Sequence, residues 1–328
     1  MTKPIGCGLL AALLLAFPLR AADVDKLLPD DVGAVVHLNV RQVLDSALMK
    51  KYGLAPAQAA VKSGEFAEKW LTPAGFDPLH DATSVTAVFP ADNDPQRGLV
   101  IVRGKFDRDR ITRTAARVAG EKGSPVKVLD IDGQSVYEIS SAAKEQGSTA
   151  FVAVLDGQTV VAAPDRASIE EALAKQSSKR VGKIQRFLRK MIEEEDANQS
   201  LWVVVPEGKF LSGAKLAADD KVKEVVGRID FLRLGVTVSD SVKVKATVAA
   251  RSAEDAAALK KDFDGGLESA KGVVALVGDS RPELAPLGAF LDTIALKNLG
   301  KVLLLEGTAS ATVIDKTLEK AIRPAGRP

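Results

Sequence analysis

His37 and His80 are the only imidazoles in the 328-residue chain, and Cys7 is the only thiol. His37 lies in the apolar run Val35–Val40. Strand alternation there groups His37 with Asn39 on one side and Val36, Leu38 and Val40 on the other. The pair offers a base or a metal ligand; the plainer reading is polar residues on the wetter face of a half-buried strand. His80, within Asp77-Pro-Leu-His-Asp81, reads as a capping or loop residue. A protein zinc site needs three or four ligands, which two distant histidines and no second cysteine do not supply. Ser141-Ala-Ala-Lys144 matches Ser-x-x-Lys, in which the lysine activates a serine nucleophile. Ser239-Asp240-Ser241 and Lys316-Thr317-Leu318 follow in the order of penicillin-binding and β-lactamase motifs, but both depart at the third residue. Ser212-Gly-Ala-Lys215 repeats the first pattern elsewhere. Asp92-Asn93-Asp94 starts like a calcium loop, but Arg97 stands where glycine is needed and Arg103 where the bidentate acid belongs. The sequence therefore assigns no catalytic residue, cofactor or metal, and it leans away from an enzyme.

The segment 179–196 is the one uncommon feature. Ile184, Phe187, Leu188, Met191 and Ile192 recur at helical spacing. Lys179, Arg180, Lys183, Arg186, Arg189 and Lys190 load its beginning, and Glu193-Glu-Glu-Asp196 its end. That polarity opposes the helix dipole. The predicted helix over 181–195 is either a basic interaction patch for an anionic partner or a docking helix with a solvated charged face.

These residues must be carried by a globular scaffold. Hydrophobic residues are 46% and charged residues 27%, which excludes disordered, collagenous and coiled-coil classes. Residues 1–21 have a basic start, an apolar run from Ile5 to Phe17 and small residues at Ala21 and Ala22. This is the pattern of a secretory leader, cleaved near Ala21, and the run is too short to span a bilayer. The expected location is periplasmic or extracellular; retention of the segment as an anchor is the alternative. Cleavage removes Cys7, Lys3 and Arg20, leaving a cysteine-free chain with 43 acidic residues balanced by as many basic ones. No later run is long enough for a membrane span. Zero net charge and 5% aromatic residues disfavour nucleic acid.

Short apolar runs alternate with amphipathic stretches along the whole chain. Asp132-Gly133, Asp156-Gly157, Ser239-Asp240 and Glu306-Gly307 read as hairpin turns. Ser168 with Glu171, and Ser252 with Asp255, have capping-box spacing. The recurring order is strand, tight turn, strand, cap, helix. It predicts an α+β protein of two tandem, topologically similar halves, 22–176 and 177–328. Their sheets would be mostly antiparallel with helices on one face, of ferredoxin-like or split β-α-β type, in preference to one large sheet.

The stretch from Leu28-Pro-Asp-Asp-Val-Gly-Ala-Val-Val-His to Met-Lys-Lys-Tyr52, with Gly75-Phe-Asp-Pro-Leu-His-Asp-Ala-Thr-Ser-Val85, resembles a group of exported proteins common in planctomycete bacteria. The resemblance implies export and tandem α+β architecture and transfers no site residue. The functional expectation is a non-enzymatic interaction or structural protein whose partner is an envelope protein or an anionic surface. The alternatives are a small-ligand binder with its site between the halves, and a hydrolase.

Overall fold

The structure, a computed structural model, describes residues 22, 24–63, 67–141, 148–213, 220–278 and 285–315. Its twelve strands are β1 Ala34–Asn39, β2 Ala82–Phe89, β3 Leu99–Gly104, β4 Val126–Ile131, β5 Gln134–Ser141, β6 Ser148–Asp156, β7 Thr159–Ala163, β8 Leu201–Val205, β9 Ile229–Val238, β10 Val242–Ala250, β11 Ala295–Leu299 and β12 Val302–Ala309. The helices are α1 Val40–Asp45, α2 Leu54–Lys62, α3 Thr72–Ala74, α4 Arg108–Ala119, α5 Arg166–Gln176, α6 Arg186–Glu193, α7 Lys209–Gly213, α8 Asp220–Gly227, α9 Ala253–Gly278 and α10 Ala285–Leu291.

All strand pairs are antiparallel and belong to one sheet, in the order β11-β12-β10-β9-β8-β1-β2-β3-β7-β6-β5-β4. The expectation of separate sheets in preference to one large sheet is corrected here. Pairing of Val35 with Val204 and of Leu38 with Leu201 joins β1 to β8 and makes the sheet continuous. The α+β class and the antiparallel pairing are as expected.

Local chemistry accounts for most elements. Asp132 and Gly133 both take positive φ, 55° and 78°, which a tight β4–β5 hairpin of primed type requires. Asp107 caps α4 by accepting from Arg110 N–H at 2.9 Å, and Thr114, Ala115 and Val118 then face the sheet. Ser252 caps α9 as its spacing predicts, accepting from Asp255 N–H at 2.9 Å. The cap of α5 is Asp165, which accepts from Ser168 N–H; the expected Ser168–Glu171 box is absent because Glu171 turns to Lys175. The hairpin expected at Glu306-Gly307 is also corrected. β12 runs straight through both residues, and the turn lies at Gly300, φ 74°, between β11 and β12. Phe290 and Ile294 lie at ordinary van der Waals distance from where a Gly307 Cβ would stand, so neither a turn nor close packing calls for glycine there.

Register divides the core between two faces. On one, Val35, Ile101, Val136, Ala153, Val161 and Val204 are covered by α5, α6 and the segment 22–32. On the other, Val126, Tyr137 and Val154 meet α4, while Ala250 and Leu303 meet α9. The predicted stripe docks α6: Leu188, Met191 and Ile192 are buried, and Phe187 sets its ring edge-on to Phe231. Replacing Ile192 with Ala should cost about 2–5 kcal/mol in urea unfolding, against less than about 0.5 kcal/mol for Arg189→Gln on the exposed face.

The segment 22–32 is a strap across this core. Leu27 and Leu28 are fully buried. Asp25 pairs with Arg103 at 2.6 Å, and Asp30 receives Lys175 Nζ at 2.8 Å, Arg180 at 2.6 Å and the Lys183 N–H at 2.8 Å.

Candidate ligand pocket

β3, β7, β6 and β5 place apolar residues on both faces, Ile101, Val161, Ala153 and Val136 on one and Val102, Val160, Val154 and Tyr137 on the other. On the α4 side the cover is incomplete. α4 is twelve residues long, and the chain from Trp70 to Phe76 forms a second wall beside it. Between them lies a cavity of about 310 Å³. Val102, Val152, Val154 and Val160 form its floor; Ile111, Thr114 and Ala115 of α4 line one side; Trp70, Leu71, Ala74 and Phe76 line the other.

Each wall is held from outside the cavity. Phe76 stacks on Phe106 with ring centres 5.0 Å apart. Gly75 ends α3 in the left-handed region, φ 70°, with the Arg110 guanidinium packed against it. Arg110 donates to the carbonyls of Pro73 and Thr72, at 2.8 and 3.2 Å. Tyr137 is bonded through its hydroxyl to Thr112 Oγ1 at 3.2 Å, so its ring faces the cavity with its polar tip engaged. The lining is almost wholly apolar, and its volume falls within the range of small-molecule sites. Beyond Leu71 and Phe76 lies a polar cleft of about 360 Å³ that includes Lys62, Glu68 and Asp77. The arrangement binds apolar matter by desolvation and holds no reactive group at its centre.

A second concavity, of about 550 Å³, lies on the opposite face over β9, β10 and β12. Its floor carries Arg233, Lys243 and Lys245, and the end of α6 supplies Glu194, Glu195 and Asp196. Arg233 pairs with Glu194, and its Nε lies 3.3 Å from Glu195 without hydrogen-bond geometry. Burial pushes the Glu195 carboxyl above its ordinary range, against the pull of Arg233.

The residues singled out from sequence are dispersed. His37 faces the α6 side, stacked 5.0 Å from Trp202, with Nδ1 2.9 Å from Thr86 Oγ1. That is the drier side, contrary to expectation, because the strap and α6 cover it. Asn39 caps α1, accepting from Gln42 N–H at 3.1 Å. Burial lowers the His37 pKa, opposed by Asp25, so the folded state favours neutral imidazole. Its contribution to stability is complete above the unfolded value of about 6.5 and lost as pH falls through the lower folded value. Unfolding free energy should decline below pH 6.5, and His37→Gln should remove that part of the decline. His80 is exposed in a loop, 2.6 Å from Asp77. Ser141 ends β5 opposite Ser148 and opens no helix; Lys144 lies outside the described residues.

The basic patch is split. The helix starts at Arg186 and not near 181, because Asp30 holds the preceding chain through Arg180 and the Lys183 N–H. Lys179 pairs with Asp132 at 2.9 Å and Lys190 lies 3.8 Å from Glu194, while Arg186 and Arg189 are exposed on α6. The pocket residues were passed over in the sequence. Their only signal was apolar residues at consecutive positions of β5 and β6, which marks strands covered on both faces.

Among the described residues, no helix is long and apolar enough to cross a membrane, and no group of three or more His, Cys, Asp and Glu is placed to hold a metal. With one cysteine the chain has no internal disulfide. No family model and no curated protein matches the sequence. Among solved structures, crystal form I of TP0453 is similar with a TM-score of 0.48 and 10% identity, covering 92% of this chain and 98% of that one.

Proposed function

We propose that this chain is an exported, non-enzymatic binding protein that holds the apolar part of a small amphiphile between α4, the 70–76 segment and the sheet. One observation carries the reading: a preformed cavity of about 310 Å³ with almost no polar lining. An apolar void bounded by a packed sheet and two anchored walls gains contacts when an alkyl or ring system fills it. The adjoining cleft with Lys62 and Asp77 offers the polar end of such a molecule a wet environment. The proposed site lies within residues 70–160, inside the first half, whereas the small-ligand alternative puts it between the halves.

Export rests on the leader pattern of residues 1–21, and membership of the exported planctomycete group rests on the 28–85 resemblance. A tandem origin is supported by strand order: β1-β2-β3-β7-β6 on one side of the β1–β8 seam parallels β8-β9-β10-β12-β11 on the other, with β4 and β5 added to the first. A boundary near residue 176 fits that correspondence.

Trp70 lines the cavity and Trp202 is buried beside His37, so the two indoles of the chain report separately. Titration with straight-chain amphiphiles should change Trp70 emission, retained in Trp202→Phe and lost in Trp70→Phe. Affinity should rise about fourfold per added methylene until the cavity is full. Absence of any saturable change across the series would overturn the proposal. A second reading, a protein partner docked on the other face, is favoured by Lys243 and Lys245, which are exposed on β10 beside the acidic residues that follow α6.

A further inference from the structure

We propose that leader cleavage after Ala21 creates a structural group: the new α-ammonium of Ala22 seats on the C-terminal end of α6 and locks the strap there. The inference rests on the leader reading above.

Three observations converge. Ala22 is buried, only 7% exposed, and its main-chain nitrogen donates to the Glu195 carbonyl at 2.9 Å. Ala22, the residue that cleavage would make first, is thus buried and hydrogen-bonded. That carbonyl lies just past α6, where unpaired carbonyls concentrate the negative end of the helix dipole. Glu193, Glu194, Glu195 and Asp196 add four carboxylates at this same end. Such a charge order is unfavourable for α6 taken alone, and a cation fixed at its end offsets it. The cationic side chains that face the group are Arg233, committed to Glu194 and Glu195, and Lys190, 3.8 Å from Glu194; Lys245 acts on Glu195 from β10.

The chemistry is a simple hydrolysis. A leader peptidase adds water across the Ala21–Ala22 amide; the carboxylate departs with the leader and the amine stays on Ala22. An α-amine with an ordinary pKa near 7.7–8.0 is mostly protonated at pH 7. Asp25 on Arg103 and Asp30 on Lys175 hold the following residues, so the ammonium stays at α6.

Three full-length mature preparations test this: one beginning at Ala22, one with Ala22 Nα-acetylated, and one with a single glycine added in front. Urea unfolding would be followed from pH 6 to 10. The free Ala22 form should have an unfolding constant about tenfold below that of the acetylated form at pH 6.5. A cation stabilised by folding has its pKa raised, so the advantage is whole below pH 7.7 and fades as pH rises through the folded value. The acetylated form should show no such fade, and the glycine-extended form should lose most of the advantage. Equal constants for all three at every pH would overturn the seat. N-terminal sequencing of the protein recovered from exporting cells checks the leader reading separately. A first residue other than Ala22 would overturn both, whereas Ala22 with equal constants would overturn the seat alone.

Discussion

Replacing Lys175 with Met is expected to lower the unfolding free energy by about 3–5 kcal/mol. The Lys175 side chain is 1% exposed. Its ammonium lies 2.8 Å from Asp30, 2.7 Å from Glu171 and 2.5 Å from the Leu28 carbonyl. Removing the cation leaves two carboxylates facing each other under the strap, with Arg180 on the exposed rim as the remaining counter-charge. Burial alone would raise the Asp30 carboxyl. Hydrogen bonds from Lys175, the Lys183 N–H and Arg180 instead hold it well below the usual carboxylate range. That contribution is whole above the unfolded value near 3.9 and is lost as pH falls towards the folded value. The loss from Lys175→Met should therefore be greatest at neutral pH and shrink as pH falls through the carboxylate range, where Asp30 and Glu171 take up protons and no longer repel. Adding Asp30→Asn and Glu171→Gln should recover part of the loss, since neutral partners no longer repel. Arg180→Gln should cost at most about 1 kcal/mol, as expected of a surface pair. A loss below about 1 kcal/mol for Lys175→Met would show that the strap is held by apolar burial alone.

Ala115→Phe is expected to abolish amphiphile binding, raising Kd at least tenfold while changing stability by no more than about 1 kcal/mol. Ala115 is buried on the inner side of α4 and lines the cavity. A benzyl group there occupies space that the wild-type side chains leave empty, so overpacking strain is avoided while the ligand loses its place. The Trp70 titration measures the first effect and urea unfolding the second. Undiminished affinity would place the ligand elsewhere, with the basin over β9, β10 and β12 next in line.

Much of the scaffold could be read locally. Asp132-Gly133 demanded positive φ at two successive residues, which leaves the chain little choice but a hairpin. Ser252 announced α9 because caps act within one turn. Reading failed where a residue type serves two purposes. Gly307 looked like a turn but stands mid-strand in β12, paired with Val244. Ser168 looked like a cap but donates to the true cap, Asp165. The pocket left almost no trace, since a cavity is a relation between α4, residues 70–76 and strand residues spread from Val102 to Val160.

By itself the sequence determined the alternation of strands and helices, most of the turns and caps, and the amphipathic face of α6, because these depend on backbone sterics and neighbours a few residues apart. The tertiary structure decided which side of β1 is dry, through a strap and a helix distant in the chain, and so turned His37 inward. It also decided that one sheet forms, since β1 and β8 both have unpaired edges that only their mutual pairing satisfies. Strand alternation specifies two faces but not which is covered; that follows from where the apolar surface of every other element finds its partner.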